Sequence, residues 1–253
     1  MKVSIITVCF NSEDTVRDTI KSVLSQTYTN VEYIIIDGGS TDSTMKIVEE
    51  YKKHITTIVS EKDLGIYDAM NKGLNLSTGD IIGILNSDDI FYNSEVLSDV
   101  VQTFKIHVAD IVFGAVQIVD SKNVNKVRRI YKRNNFKPWM LKYGWMPPHP
   151  ATFVRNEVYS KYGVFSLQYE TAADYELFVR WFFLHKLNFY AIRGFLTKMR
   201  DGGATNSGVS SYINTTAQII LICKTYKLTR FPWLVFLRVF VKISEKILVK
   251  YRS

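Results

Sequence analysis

What this chain of 253 residues contains little of narrows the classes of protein that it can belong to. Cysteine occurs only as Cys9 and Cys223, and no Cys/His spacing typical of a metal centre is present. Cys9 lies in an apolar strand pattern, so we expect a buried, reduced thiol rather than a disulfide. The apolar run Val3 to Phe10 is too short to cross a membrane, and no small-residue cleavage site follows it. We therefore expect a first strand there, not a signal peptide, and a cytoplasmic protein.

The phosphate-binding signatures of common nucleotide enzymes are also missing. Gly38-Gly39 follows Asp37 and resembles a phosphate turn, but neither G-x-G-x-x-G nor the P-loop pattern occurs. A dinucleotide-dependent dehydrogenase is therefore disfavoured.

The net charge of +8 is distributed unevenly along the chain. Acidic clusters lie in the first hundred residues, whereas one basic group lies at residues 122–137 and a second at the C-terminus. This bias favours a polyanionic partner: phosphate, nucleic acid or an anionic membrane surface. Because segment 122–137 lacks a nucleic-acid recognition module, nucleic acid is the weakest of these candidates.

The order of apolar patterns predicts the fold class. A length of 253 residues with 47% hydrophobic content suits one large α/β domain, alone or with a small appendage. Strands alternate with amphipathic helices over about the first ninety residues, which predicts a doubly wound, largely parallel sheet. These strands are predicted at Val3 to Phe10, Val31 to Asp37, Ile55 to Ser60 and Asp80 to Leu85. The next predicted elements are a helix at Ser94 to Ile106, a hairpin of Asp110 to Val119 with Lys126 to Tyr131, and a loop or lid at Asn134 to Pro150. They are followed by a strand at Ala151 to Arg155, a helix at Thr171 to His185, and strands at Asn188 to Ile192 and Leu196 to Arg200. The last predicted elements are a flexible stretch at 202–208 and helices at Ser210 to Tyr226 and Pro232 to Tyr251.

The stretch from Asp80 to Asp89 carries the strongest chemical signal. Its apolar run, Ile81 to Leu85, predicts a strand buried on both faces. The run stops at Asn86-Ser87-Asp88-Asp89, where ligands collect in open α/β sheets. Two adjacent carboxylates repel each other, and a hard divalent cation shared with substrate phosphates resolves this repulsion. The alternative is that one carboxylate caps the next helix or lies in a solvated turn.

Four motifs, in matching order and spacing, resemble the family 2 glycosyltransferases. They are Ser4-Ile-Ile-Thr-Val-Cys-Phe-Asn11, Asp37-Gly-Gly-Ser-Thr-Asp42, Asp63-Leu-Gly-Ile-Tyr-Asp-Ala-Met-Asn-Lys-Gly73 and Leu85-Asn-Ser-Asp-Asp89. The motifs are most similar to those of bacterial enzymes that build capsule, O-antigen or other surface polysaccharide. The resemblance is close over residues 1–115 and becomes weak from there to about residue 208. It implies a GT-A fold: an α/β, Rossmann-like, mostly parallel sheet with helices on both faces, here with a C-terminal helical extension. We expect a glycosyltransferase domain at 1–208, with a nucleotide-sugar half at 1–115 and an acceptor half at 116–208, and C-terminal helices at 209–253.

The resemblance also implies roles for individual residues in binding the donor. Nucleotide contacts are implied for Thr7, Val8 and Asn11, and a base or ribose contact for Asp37. Residues near the diphosphate and donor sugar are Asp63, Asn71 and Lys72. Asp37 and Asp42 could instead form a turn and a cap, and Lys72 could lie on a solvated helix face.

The D-x-D motif of the family, which holds Mg²⁺ or Mn²⁺, corresponds to residues 86–89 here. Its first position is Asn86, whose missing charge should weaken the metal site. We expect Asp88 to be the principal ligand. Asp89 is the weaker candidate, because neighbouring residues on an extended chain point opposite ways and need not both reach one ion.

On the acceptor side, Ala172-Ala173-Asp174-Tyr175-Glu176-Leu177 resembles the acidic motif of the family. Asp174 is the predicted general base, since a neutral alcohol is a poor nucleophile without a carboxylate to take its proton. Glu170 and Glu176 are competing carboxylates, and helix capping is the alternative role. Weaker candidates for diphosphate or acceptor contacts are His149, Arg155 and Arg200. Candidates for stacking on a sugar are Tyr67, Trp139, Trp145 and Tyr175.

The C-terminal stretch from Phe231 to Arg252 is apolar with a narrow polar stripe, formed by Arg238, Lys242, Glu245 and Lys246. These charges disfavour a membrane-spanning helix. An amphipathic helix on the anionic inner face of the cytoplasmic membrane fits the pattern, and a helix packed on the core or on a second subunit is the rival.

The predicted function is an inverting glycosyltransferase. It would move a sugar from a nucleotide-diphosphate sugar to a hydroxyl of a saccharide acceptor, which we expect to be lipid-linked, in cell-surface polysaccharide synthesis. Two alternatives stay open: a nucleotidyltransferase that forms a sugar nucleotide, and a non-catalytic nucleotide-sugar-binding scaffold, which Asn86 motivates.

Overall fold

A computed structural model describes residues 1–202 and 209–236 of the chain. In the described residues the strands are β1 (Val3–Cys9), β2 (Val31–Asp37), β3 (Thr57–Ser60), β4 (Ile81–Ile84), β5 (Asp89–Phe91), β6 (Ile111–Val119), β7 (Val127–Tyr131), β8 (Thr152–Arg155) and β9 (Phe189–Arg200). The α-helices there are α1 (Val16–Leu24), α2 (Thr44–Glu50), α3 (Ile66–Leu76), α4 (Val96–Ile106), α5 (Asn156–Tyr162), α6 (Ala173–Phe178) and α7 (Val209–Thr225).

All nine strands belong to one mixed sheet, with the order β3-β2-β1-β4-β8-β6-β9-β5 and β7 paired with β6. The first four strands are parallel, as the strand-helix alternation predicts. Beyond β4 the sheet becomes mixed: β8 is antiparallel to both β4 and β6, whereas β9 runs parallel to β6. The predicted hairpin of β6 and β7 is confirmed. The sheet therefore has a parallel half, β1 to β4, and a mixed half that follows it in the chain.

Alternating side chains along the central strands enter two separate cores, one on each face of the sheet. Ile34 and Ile36 pack with α3, α6 and α7, whereas Ile35 packs with α1, α2 and α4. Both faces of β2 are thus covered by helices, which explains its continuous apolar sequence. The α/β prediction with helices on both faces is confirmed, and the predicted reduced Cys9 is a buried free thiol.

Three details of the secondary structure differ from the prediction. The helix predicted at Thr171 to His185 is a short α6 followed by a π-helical segment, Val179–Leu184. The two strands predicted at its C-terminal side are one β9, which pairs in parallel with β6 on both sides of an irregularity between Ala191 and Phe195. Strand β5 and helix α5 were not predicted, since three and seven residues are too few to show a period.

The C-terminal part consists of α7 and a 3₁₀ segment, Pro232–Phe236, in the described residues. Ile219, Ile222 and Val235 join the core that also contains α6. No helix in residues 1–202 or 209–236 is both long and apolar enough to cross a membrane. Residues 203–208 of the flexible stretch predicted at 202–208, and the polar stripe of the helix predicted at Pro232 to Tyr251, lie outside the described residues. The domain boundary at 208 stays a prediction.

Candidate active site

The carboxyl ends of β1, β2 and β4 meet at one edge of the sheet, where most of the predicted donor residues lie. Cys9 and Asp37, which end β1 and β2, are register partners. The main chain at Leu85 and Ser87 continues to donate to β1, at Ile6 O and Val8 O. This pairing carries the chain after β4 along the same edge and brings its acidic corner beside the end of β1.

Asp37 is fully buried and holds the turn that follows β2. Its Oδ2 accepts hydrogen bonds from Gly39 N, Ser40 N and Ser60 Oγ at 3.2, 3.0 and 2.6 Å. Its Oδ1 accepts from Ser40 Oγ. The contacts of the Asp37 carboxylate are therefore mainly those of turn formation, the alternative role predicted for it. A base or ribose contact stays a prediction.

Asn11 joins the end of β1 to the turn after β2. Its φ of +46° lies in the left-handed region, which asparagine tolerates better than most residues. Its Oδ1 accepts from Thr41 N at 2.9 Å, and its N–H donates to Ser40 Oγ at 2.8 Å. Asn11 thereby shapes the rim on which a nucleotide is expected.

The residues before Asn11 differ in what they offer a ligand. The Thr7 hydroxyl is fully buried and pairs with Tyr33 Oη at 3.2 Å, and Val8 belongs to the core. Any nucleotide contact at these two residues therefore involves the main chain. Phe10, in contrast, is 61% exposed at the mouth of the site.

Asp63 lies directly over Gly38. A Cβ built on Gly38 would come within 2.4 Å of Asp63 Oδ2, so only glycine leaves room for this carboxylate. Asp63 Oδ1 also accepts from Gly65 N at 2.9 Å. The Asp63 side chain is thus placed beside the turn after β2, although twenty-five residues separate it from Gly38.

The two predicted donor contacts on α3 are both engaged within the protein. Asn71 Nδ2 donates to Phe165 O at 2.9 Å, and Asn71 Oδ1 accepts from Phe165 N at 3.0 Å. Lys72 Nζ pairs with Glu61 at 2.8 Å and donates to Lys62 O at 3.1 Å. Asn71 therefore ties α3 to the main chain at Phe165, and Lys72 ties it to the loop before Asp63.

The acidic corner contains buried oxygens without donors. Asp89 is fully buried, and its Oδ1 has no hydrogen-bond partner; the same holds for Asn86 Oδ1. Asn86 Nδ2 donates to Asp89 Oδ2 at 3.3 Å. Burial, and then the charge of Asp88, raise the pKa of Asp89 well above its usual value, and burial raises the pKa of Asp88. A proton or a cation here would satisfy these oxygens.

The donor set of this corner fits Mg²⁺ or Mn²⁺. Carboxylate and amide oxygens are the ligands that such hard cations prefer, and substrate phosphates complete the coordination. Within residues 1–202 and 209–236, no group of three or more His, Cys, Asp and Glu side chains could hold a metal ion. Asp88, Asp89 and the Asn86 amide thus form a partial set that requires the diphosphate.

Arg200, the last residue of β9, holds the main chain of this corner. Its Nη1 donates to Asp88 O at 3.0 Å, and its Nη2 pairs with Asp18 at 2.6 Å. On the other side, the Thr19 hydroxyl contacts Ser87 O and Asp89 O at 2.9 and 2.7 Å. These contacts position Asp88 and occupy the Arg200 guanidinium, which was a weak candidate for a substrate contact.

Asp174 stands in the first turn of α6, in contact with the donor half. Its Oδ1 accepts from Tyr67 Oη at 3.2 Å and from Tyr175 N at 2.8 Å. Tyr67 stacks on Phe165, against whose ring His149 packs edge-on. Burial lowers the pKa of His149, which keeps the imidazole neutral next to the carboxylate. Asp174 itself is half-buried, so a hydroxyl can reach it.

The competing carboxylates differ from Asp174. Glu176 is buried and bound to Arg180 through two contacts of 2.8 and 3.0 Å, and it also accepts from Tyr226 Oη. Glu170 is exposed. Among the described residues, Asp174 is the carboxylate of this motif that is both accessible and held by the donor half.

Other predicted candidates have structural contacts. Arg155 donates to Ala109 O and pairs in register with Ile81, at the amino end of β4, away from the site edge. Tyr175 is buried with its hydroxyl on Leu141 O. Of the predicted stacking residues, Trp139 is exposed.

Sequence reasoning missed two features of the site. Phe10 was assigned to the first strand, although alternation past the strand end would have indicated exposure. The contact between Tyr67 and Asp174 left no signal in the sequence, because 107 residues separate the partners.

Comparison with protein families and known proteins gives a consistent result. The family model described as Glycosyl transferase family 2 matches residues 4–163. An uncharacterized glycosyltransferase of Mycobacterium tuberculosis is 33% identical over 182 residues, which cover 70% of this chain and 68% of that protein. A PGL/p-HBAD biosynthesis glycosyltransferase of Mycobacterium bovis is 30% identical over 189 residues, which cover 71% and 69%.

Solved structures show the same fold at lower identity. The structure of S. aureus TarS in complex with UDP-GlcNAc superposes with a TM-score of 0.68 at 19% identity and covers 88% of this chain and 66% of that one. A mannosyltransferase from Pyrobaculum calidifontis in complex with GDP-Man and Mn²⁺ gives a TM-score of 0.64 at 15% identity and covers 92% and 68%. The chain spans about two thirds of the length of these relatives.

Proposed function

The chain belongs to glycosyl transferase family 2, and we propose that it is an inverting enzyme that transfers a sugar from a nucleoside-diphosphate sugar to an acceptor hydroxyl. The observation that carries this proposal is the corner at Asn86 and Asp89, whose two buried oxygens lack donors. This corner stands at the carboxyl end of β4, where open α/β sheets bind their ligands. A diphosphate with its cation would supply what these oxygens lack.

The donor would lie along the edge formed by the ends of β1, β2 and β4. Phe10 offers an exposed ring for the base, and Asn11 together with the turn at Asp37 shapes the rim. Asp63, beside Gly38, faces the same turn. Asp88 and Asp89 would hold Mg²⁺ or Mn²⁺, which supplies positive charge against the charge that develops on the leaving diphosphate.

The reaction is a single displacement. Asp174 accepts the proton of the acceptor hydroxyl while its oxygen attacks the anomeric carbon and the bond to the diphosphate breaks. Attack from the face opposite the leaving group inverts the anomeric centre. Tyr67 Oη orients the carboxylate, and the neutral His149 adds no positive charge that would compete for it.

A membrane surface is the proposed location of the acceptor. Residues 209–236 contain no Asp or Glu. Lys224, Lys227 and Arg230 line a surface cavity of about 590 Å³. Phe231, Trp233 and Phe236 lie next to it and are each more than half exposed. Exposed aromatic rings beside cations suit the interface of an anionic bilayer, so a lipid-linked saccharide is the favoured acceptor.

The family assignment disfavours the nucleotidyltransferase alternative. The experiment that tests the proposal is a thermal-shift panel of nucleotide sugars, with and without Mn²⁺, on the wild type and on Asp88→Ala/Asp89→Ala. We expect one donor to stabilise the wild type in a manner that requires the metal. If that donor stabilises the double variant equally, with equal turnover, the proposed site is wrong.

A further inference from the structure

Arg133 is a cation held between two aromatic rings at the border of the acceptor half. Its guanidinium carbon lies 4.7 Å from the ring centroid of Tyr131 and 4.4 Å from that of Trp145. The Tyr131 hydroxyl donates to Met146 O at 2.7 Å, which joins the two ring-bearing segments. Stacking on two rings fixes the plane of the guanidinium without an ion pair.

Arg133 differs from the paired arginines of the described chain. Arg17, Arg128, Arg180 and Arg200 each form an ion pair with a carboxylate. For Arg133, the described residues provide one acceptor, Lys132 O, which Nη1 contacts at 3.0 Å. Its Nε is shielded from solvent and has no partner. A charged donor group in this state is stabilised by any anion that reaches it.

The sequence segment around Arg133 contains no negatively charged residue. Residues 121–156 contain nine Lys and Arg and no Asp or Glu. Lys132 and Lys137, close to Arg133 in the chain, are exposed. The positive potential here is therefore not neutralised from within the segment, which attracts anions.

One short segment and a series of ring contacts link Arg133 to Asp174. Trp145 precedes His149 by four residues, so their Cα atoms are at most about 14 Å apart. His149 packs on Phe165, which stacks on Tyr67, the partner of Asp174. The segment 145–149 and these ring contacts thus connect the Arg133 clamp to Asp174.

We propose that Arg133, clamped by Tyr131 and Trp145, binds a phosphate group of the acceptor. This inference rests on the proposed glycosyltransferase function and adds the chemical class of the acceptor. The guanidinium fork matches two phosphate oxygens, which a lysine at this position would not. A phosphate bound to a lipid and a free phosphate ester share this chemistry.

The test is saturation-transfer NMR on the full chain in EDTA, so that no divalent cation recruits phosphate to the acidic corner. The probes are octyl phosphate, methyl phosphate and uncharged octyl glucoside. The variants are Arg133→Gln and Arg133→Lys, with Arg193→Gln as a matched control, since Arg193 is an exposed arginine of β9. Circular dichroism checks that each variant is folded.

We expect both phosphates to bind the wild type and the control, and the affinity to fall about tenfold or more in Arg133→Gln, with partial recovery in Arg133→Lys. Stronger binding of octyl phosphate than of methyl phosphate assigns the group to a lipid; equal binding assigns it to a free phosphate ester. The proposal is overturned if the two phosphates bind Arg133→Gln as tightly as they bind the wild type. It is also overturned if octyl glucoside binds the wild type with the same affinity as octyl phosphate.

Donor binding separates this inference from the proposed function. The stabilisation by a nucleotide sugar with Mn²⁺ should be the same in Arg133→Gln and the wild type. If that variant loses it, Arg133 belongs to the donor site and the inference is wrong. If the wild type shows no donor stabilisation but the phosphates still depend on Arg133, the proposed function fails and the anion site stands.

Discussion

The Tyr67 hydroxyl donates a hydrogen bond of 3.2 Å to Asp174 Oδ1 and thereby connects α3 to α6, the helix that carries the proposed base. The loop that precedes α3, residues 61–65, is called the donor loop. Tyr67 is buried, and burial together with the charge of Asp174 raises its pKa well above the usual value. The phenol therefore stays protonated and keeps donating. The orientation of the carboxylate thus depends on both halves of the fold.

Replacing Tyr67 by Phe tests this connection. The change removes one hydrogen bond to a charged group, worth roughly 1.5–3 kcal/mol, so we expect kcat to fall about tenfold to a hundredfold. Donor affinity, measured by thermal shift, should not change, because Tyr67 contacts the acceptor side. A Tyr67→Phe enzyme that turns over at the wild-type rate would show that the contact has no catalytic role.

Replacing Asp174 by Asn removes the proposed base and retains the side-chain shape. Transfer should fall by at least about a hundredfold, since general base catalysis contributes about that much or more, whereas donor binding persists. Glu170→Gln is the matched control, because it removes an exposed carboxylate four residues away. If the transfer rate of Asp174→Asn falls no further than that of Glu170→Gln, Asp174 is not the base.

Replacing Gly38 by Ala tests the placement of Asp63. The new Cβ would meet Asp63 Oδ2 at 2.4 Å, and the carboxylate must turn away. We expect weaker donor binding with little change in the thermal midpoint. The double variant Gly38→Ala/Asp63→Ala should bind donor no worse than Asp63→Ala alone, because the two changes act through one carboxylate. Additive losses would contradict this.

Replacing Asp89 by Asn should stabilise the metal-free protein. The buried Asp89 carboxylate has an oxygen without a donor, and an asparagine amide there can donate to the equally unpartnered Asn86 Oδ1. We expect a gain on the order of 1 kcal/mol in the free energy of unfolding. The stabilisation by Mn²⁺ with donor should shrink. If Asp89→Asn is instead less stable than the wild type in EDTA, the corner accommodates the Asp89 carboxylate without a cation.

The exposed rings at the C-terminal surface are expected to bind anionic bilayers. Phe231→Ser/Trp233→Ser should reduce flotation of the full chain with vesicles rich in anionic lipid, because both rings are more than half exposed. High salt should weaken the wild-type binding as the cations are screened. Leu64→Ser, which removes an exposed leucine from the donor loop, is the control. Undiminished flotation of the double variant rejects this surface.

The sequence by itself determined the parallel half of the sheet and its acidic edge. A run such as Ile34-Ile35-Ile36 has apolar side chains on both faces of its strand, and both faces are buried only when helices cover each side of the sheet. The polar residues that end such parallel strands then lie at one edge of the sheet. Local composition carries this information, since the period and the end of a strand are properties of neighbouring residues.

Only the tertiary structure decided what each side chain at that edge contacts. Four contacts join parts of the chain that are far apart in sequence: Ser60 with Asp37, Asn71 with Phe165, Tyr226 with Glu176, and Tyr67 with Asp174. Such contacts depend on how whole elements pack against one another. No local pattern encodes them, because the energy that places Asp174 beside Tyr67 comes from the apolar cores that bury α3 and α6, not from the two residues themselves.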